Sequence, residues 1–97
     1  MKEAQKIIRD IKKSLPILRN RYKVREIGLF GSYLRGDQKK KSDVDILVDF
    51  EKTVSLFEFI ALEGELSKLT GKKVDLVMKT ALKPRIGKRI LDEVVYI

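Results

Sequence analysis

The stretch Val24–Phe50, VREIGLFGSYLRGDQKKKSDVDILVDF, decides the fold of this chain. VREIGLF reads as a strand, and Gly31-Ser32 directly after it turns the chain into a short helix or loop. Residues 36–42 (GDQKKKS) are polar and loop-like. DVDILVDF then alternates, with Val44, Ile46, Val48 and Phe50 on one face and Asp43, Asp45, Leu47 and Asp49 on the other. That pattern specifies a strand with one face in a core and the other lined by carboxylates.

Working outward, Ile7, Ile8, Ile11 and Leu15 recur at helical spacing and predict an amphipathic first helix. Pro16 interrupts it or starts a second short turn through about Tyr22. On the other side, Ser55-x-x-Glu58 forms a capping box that opens a helix. Leu56, Phe59, Ile60, Leu66 and Leu69 give that helix an apolar side, and Gly71 is placed to end it. KKVDLVM predicts a third strand, with Val74, Leu76 and Met78 on one face and Asp75 on the other. Pro84 suits the first turn of a last helix carrying Ile86, Ile90 and Leu91, and VVYI closes the sequence. The fold class expected is α/β in the α+β sense: a small mixed β-sheet with helices packed on one face. The carboxylates of two strands lie on the opposite face.

The 97 residues fit one domain, 1–97, near the lower end of sizes that fold alone. With 43% hydrophobic and 37% charged residues, disorder is not expected. There is no cysteine and no histidine, which excludes disulfides, thiolate metal sites, serine-type triads and ordinary zinc sites. Chemistry must run on carboxylates, hydroxyls, lysine, arginine and hard metal ions. The first residues are too charged for a signal peptide and no run reaches transmembrane length, so a cytoplasmic location is expected. The 22 basic against 14 acidic residues give a net charge of +8. Such a charge favours nucleotides, nucleic acid or acidic protein surfaces as partners; it is equally the mark of a lysine-rich solvated surface.

Three features carry the candidate chemistry, and each has a plainer reading. Gly31-Ser32 lets backbone N–H groups and a hydroxyl approach a phosphate, although Gly-Ser after a strand is also an ordinary turn. Asp43 and Asp45 lie on one face, roughly 6.5–7 Å apart along the strand, a spacing that suits one or two hard cations. It also suits a solvent-facing acidic strand end. Asp75, flanked by Val74 and Leu76, is an unfavourable strand residue unless it meets the other two carboxylates or forms a salt bridge.

Together, Gly31-Ser32, the ten residues Tyr33–Ser42, Asp43-Val44-Asp45 and the distal Asp75 resemble the motif of the DNA polymerase beta-like nucleotidyltransferase superfamily. Tyr33, Arg35, Gly36, Ser42 and the closing LKPRIGKRILDEVVYI resemble its minimal nucleotidyltransferases, known as MNT domains, over essentially the whole chain. The resemblance implies a nucleotidyltransferase-like fold, with Asp43, Asp45 and Asp75 as catalytic residues holding two Mg²⁺ ions. It further implies Gly31 and Ser32 on the β- and γ-phosphates of ATP. Arg35 becomes a triphosphate clamp, set against a surface arginine on a loop. Lys39, Lys40 and Lys41 either raise the local potential or form a solvated loop, and Asp49 reads as a strand-end surface residue. In that group the domain serves as antitoxin to a helical HEPN-type toxin, which implies AMP transfer onto a tyrosine of such a partner.

Two rivals stand beside this expectation. The same protein could neutralise its partner by occlusion alone, as a non-catalytic binding module. A nucleic-acid-binding role rests on charge only, since no recognition helix or aromatic platform is evident. Self-association is also open, because an exposed sheet edge and a thin core invite it.

Overall fold

A computed structural model describes residues 2–97; Met1 of the expected 1–97 span lies outside the described residues. The elements run α1 (Lys2–Lys13), α2 (Leu15–Tyr22), β1 (Val24–Phe30), α3 (Ser32–Arg35), β2 (Val44–Phe50), α4 (Leu56–Thr70), β3 (Val74–Met78), a 3-10 turn (Lys79–Ala81), α5 (Pro84–Glu93) and β4 (Val95–Tyr96). The sheet is mixed, in the order β3-β2-β1-β4. β1 is antiparallel to both β2 and β4, whereas β2 and β3 are parallel and joined by α4.

Alternation in β2 works as read: Val44, Ile46 and Val48 are fully buried and join one core with Leu76 and Val74 of β3. In β1 the core positions are Val24, Ile27 and Leu29, a spacing that departs from two because the register shifts between Val24 and Glu26. One extra residue there re-aims the strand. Ala4, Ile7 and Ile11 of α1, Leu18 of α2, and Leu62 and Leu66 of α4 cover this face. Side-chain burial of this kind, rather than helix propensity, holds such short helices in place.

α4 begins on the expected capping box: the Glu58 N–H donates to Ser55 Oγ (3.1 Å) and the Ser55 N–H donates to Glu58 Oε1 (2.8 Å). It ends at Gly71 with φ of 68°. Its apolar side meets the expectation at Leu66, which is buried, and at Phe59 and Leu69, which pack against the core, and departs from it at Leu56 and Ile60. Leu56 and Ile60 are exposed, together with Phe57, while Leu62, Leu66 and Thr70 form the buried line. Ile60 precedes Leu62 by two residues, which places it about 200° away around a helix of 3.6 residues per turn.

α4 also finishes the outer edge of β3. The Leu76 N–H donates to Glu63 Oε2 (3.0 Å) and the Val74 N–H to Ser67 Oγ (3.2 Å). The edge expected to be bare is therefore partly closed by side chains of the neighbouring helix.

α5 departs from the layer formed by α1, α2 and α4. Ile86 and Leu91, expected as its core side, are exposed, and its buried residue is Gly87. A Cβ on Gly87 would lie 2.9 Å from Leu82 Cβ, so the missing side chain lets the preceding loop close onto the helix. The chain then returns over the carboxylate face. Gly28 pairs with Leu47, and a Cβ on Gly28 would meet Val94 Cγ2 at 2.6 Å. That cover accounts for Leu47 being buried although it shares a face with Asp45 and Asp49. Among the described residues, no helix is long and apolar enough to cross a membrane.

Candidate active site

Parallel pairing of β2 with β3 sets Asp45 directly beside Asp75, with Val44 beside Val74 and Ile46 beside Leu76. Neighbouring strands lie about 4.8 Å apart, so the two carboxylates share one small region of the face. Asp43 precedes β2 by one residue, on the same side. Burial raises the Asp45 pKa, and the negative charges of Asp75 and Asp43 raise it further; the Arg35 charge opposes them. Like charges directly opposite each other in a sheet are destabilising. None of the three carboxylates is in an ion pair among the described residues.

Those oxygens suit a hard divalent cation. Among the described residues no group of three or more acidic side chains closes into a ready-made metal cage. Mg²⁺ does not need one, because it commonly takes one or two carboxylates and completes its shell with water and substrate phosphates. An open carboxylate pair with a repulsive surplus of negative charge fits that requirement.

The glycine of Gly31-Ser32 has a definite steric role. Gly31 has φ of 82°, in the region that favours glycine, and a Cβ there would run into the Asp45 carboxylate. The turn therefore passes against Asp45 only because the side chain is missing. Ser32 opens α3, a single turn closed at Gly36, and Arg35 is its last residue.

Arg35 does not stand free on a loop. Its Nη1 donates to Glu93 Oε1 (2.7 Å) and its Nε donates weakly to Asp37 Oδ2 (3.4 Å). Glu93, the last residue of α5, uses its second oxygen to accept the Gly31 N–H (2.8 Å). Burial pushes the Glu93 carboxyl up, but the hydrogen bonds from Arg35 and Gly31 bring it below the ordinary glutamate value. The same pairing, Glu93 first and Asp37 second, raises the Arg35 pKa.

One cavity borders Asp45 and another borders Asp43. The first, of about 250 Å³, has Gly31, Arg35, Asp45, Arg89 and Glu93 in its wall, with Phe30, Ile86 and Ile90 supplying apolar surface. The other, of about 510 Å³, joins Ser42 and Asp43 to Tyr33, Gly71 and four lysines, Lys40, Lys41, Lys72 and Lys73. Of the run 39–41, then, Lys40 and Lys41 reach the site. The Lys39 backbone N–H instead donates to Ser42 Oγ (2.8 Å) and shapes the loop. Asp49 lies apart from the site: its carboxylate is 3.7 Å from Arg25 Nη1, beside a separate cavity of about 300 Å³.

The fold thus gathers Gly31, Arg35, Asp43, Asp45 and Asp75, with Ser32 next to Gly31. It adds Glu93 and Arg89, which no sequence pattern nominates. Glu93 is 62 residues from Gly31, and nothing local in LDEVVYI marks it.

Known proteins share both the pattern and the architecture. The model of the nucleotidyltransferase domain family matches residues 11–97. The protein adenylyltransferase MntA of Thermococcus cleftensis is 55% identical over 97 residues, covering all of this chain and 95% of that protein. A solved structure described as a minimal nucleotidyltransferase superposes with a TM-score of 0.76 at 32% identity, covering 91% of this chain and 90% of the other. A toxin–antitoxin crystal structure with AMP-PNP contains a chain with a TM-score of 0.69 at 27% identity, covering 99% of this chain and 72% of that one. On its sequence, its sheet and its paired carboxylates, this chain belongs to the nucleotidyltransferase domain family.

Proposed function

We propose that this nucleotidyltransferase transfers AMP from ATP to a hydroxyl of a protein partner, a tyrosine of a HEPN-type toxin, and thereby acts as its antitoxin in the cytoplasm. Residues 1–97 form a single minimal nucleotidyltransferase domain in this reading. The observation that carries it is the in-register placement of Asp45 beside Asp75, with Asp43 next to them and, among the described residues, none of the three held in an ion pair.

Asp43 and Asp45 would hold two Mg²⁺ ions, with Asp75 as the third carboxylate of the set. Held by these carboxylates, Mg²⁺ would supply the positive charge that favours loss of the hydroxyl proton and stabilises the leaving oxygen of an in-line displacement. Arg35, with Arg89 in the same cavity, faces the triphosphate through its remaining guanidinium N–H groups. Ser32 adds a hydroxyl donor beside it. Gly31 serves first as the place where the turn clears Asp45. The hydroxyl oxygen bonds to the α-phosphorus, the bond to the bridging oxygen breaks, and pyrophosphate leaves. The relatives named above as a protein adenylyltransferase and as a toxin–antitoxin complex with AMP-PNP support this assignment of nucleotide and partner class.

The test is intact mass spectrometry of a HEPN-type toxin protein, sought first in the product of the adjacent gene, after incubation with this chain, ATP and Mg²⁺. AMP-sized increments are expected with the unaltered chain and not with Asp43→Ala/Asp45→Ala. A stable complex without any increment would instead favour neutralisation by occlusion, a role to which the exposed Leu56, Phe57 and Ile60 of α4 could contribute.

A further inference from the structure

The geometry points to Glu93 as the residue that positions Arg35 for the nucleotide's triphosphate and locks the Gly31 turn beside Asp45. β4 begins only at Val95, so beyond Leu29, which pairs with Val95, β1 has no backbone partner on that side. Gly31 is buried, and a buried amide without an acceptor is destabilising. The Glu93 side chain takes the place that a longer β4 would have filled, accepting the Gly31 N–H at 2.8 Å.

A need for an acceptor at Gly31 does not require a second partner, yet Glu93 has one. Its other oxygen takes Arg35 Nη1 at 2.7 Å, the shorter of the two bonds. Arginine side chains carry several rotatable bonds, and roughly half of the Arg35 side chain is exposed (52%). Without an anchor it would sample many rotamers. Glu93 and Asp37 engage one edge each of the guanidinium and leave the remaining N–H groups free for phosphate oxygens. A single carboxylate thus couples the turn that admits Asp45 to the arginine that faces the triphosphate. It also ties α5, which carries Arg89, to the same cavity. Glu93 touches neither reacting atom in this account; it acts through Arg35 and Gly31.

This inference rests on the nucleotide-binding reading above, and its test separates the two. AMP-PNP with Mg²⁺ is titrated calorimetrically into the unaltered chain, Glu93→Gln, Arg35→Ala and the double variant, at a temperature well below every melting point. Glu93→Gln keeps an oxygen for the Gly31 N–H but loses the charge that orients Arg35. Its Kd is expected to rise about tenfold, the equivalent of ~1.4 kcal/mol. The double variant should bind within about twofold of Arg35→Ala alone, because the effect passes through the arginine. An unchanged Kd with only a lowered Tm would overturn the positioning role and leave Glu93 as a structural cap. Tighter binding by Glu93→Gln would overturn it too, making the carboxylate a competitor for the anion position. Additive losses would show that Glu93 does not act through Arg35. If the unaltered chain binds no AMP-PNP, the nucleotide reading falls and this inference with it.

Discussion

The two sides of the sheet are finished by the same device to different ends. At the β3 edge, Glu63 of α4 accepts the Leu76 N–H; past the end of β4, Glu93 of α5 accepts the Gly31 N–H. α4 is otherwise anchored by fully buried Leu62 and Leu66 and by a complete capping box. α5 exposes Ile86 and Leu91, and its carboxylate also holds Arg35. One helix stabilises the fold, and its polar contact is an addition to a core. The other has little apolar anchorage and is attached largely through the site it borders. The contrast says where stability and nucleotide binding are separable.

The largest effect expected from breaking that contrast is in the core. Leu66→Ala should cost about 2–5 kcal/mol in chemical denaturation, whereas Ile86→Ala should stay within about 0.5 kcal/mol. Comparable losses for both would mean that α5 is anchored like α4. Next in size, Glu63→Ala orphans the Leu76 amide and should cost about 1–3 kcal/mol, with the Kd for AMP-PNP unchanged. A weakened Kd there would erase the distinction between the two edges. Ser55→Ala removes the cap of α4 and should cost about 1 kcal/mol, again without a binding effect.

The smallest effect is a pH dependence at the same cap. The Ser55 backbone N–H, and then its hydroxyl, hold the Glu58 carboxyl below its ordinary value of 4.5. A depressed carboxylate stabilises the fold above its unfolded pKa and loses that contribution as pH falls through the folded one. The difference in Tm between the unaltered chain and Glu58→Gln should therefore shrink on acidification below pH 4.5. A difference that stays constant, or widens, would show that the carboxylate charge is not what closes the cap.

Much of this was legible in the residues. Alternation in DVDILVDF, the capping box and the Gly31-Ser32 turn are local patterns, and local patterns survive folding when the core agrees with them. Burial of Val44, Ile46 and Val48, and the start of α4 at Leu56, follow from them. What escaped depends on distance along the chain. Leu56 and Ile60 read as core because apolar residues occur almost all round α4, leaving its buried line to be chosen by the sheet. Ile86 and Leu91 read as core because an apolar spacing on a helix does not reveal whether a surface exists to receive it. Glu93 was invisible, since its partners Gly31 and Arg35 lie about sixty residues away and meet it only once β4 pairs with β1. The steric role of Gly31 against Asp45 likewise needs the register of β1 with β2, in which Phe30 faces Asp45.

The central claim is that this site transfers the α-phosphoryl group with its nucleoside. A direct test incubates the chain and a HEPN-type toxin protein with Mg²⁺ and ATP labelled at either the α- or the γ-phosphate. α-Label is expected on the partner and γ-label in released pyrophosphate, with neither transfer by Asp45→Asn. γ-Label on the partner, or α-label transferred equally well by Asp45→Asn, would contradict it.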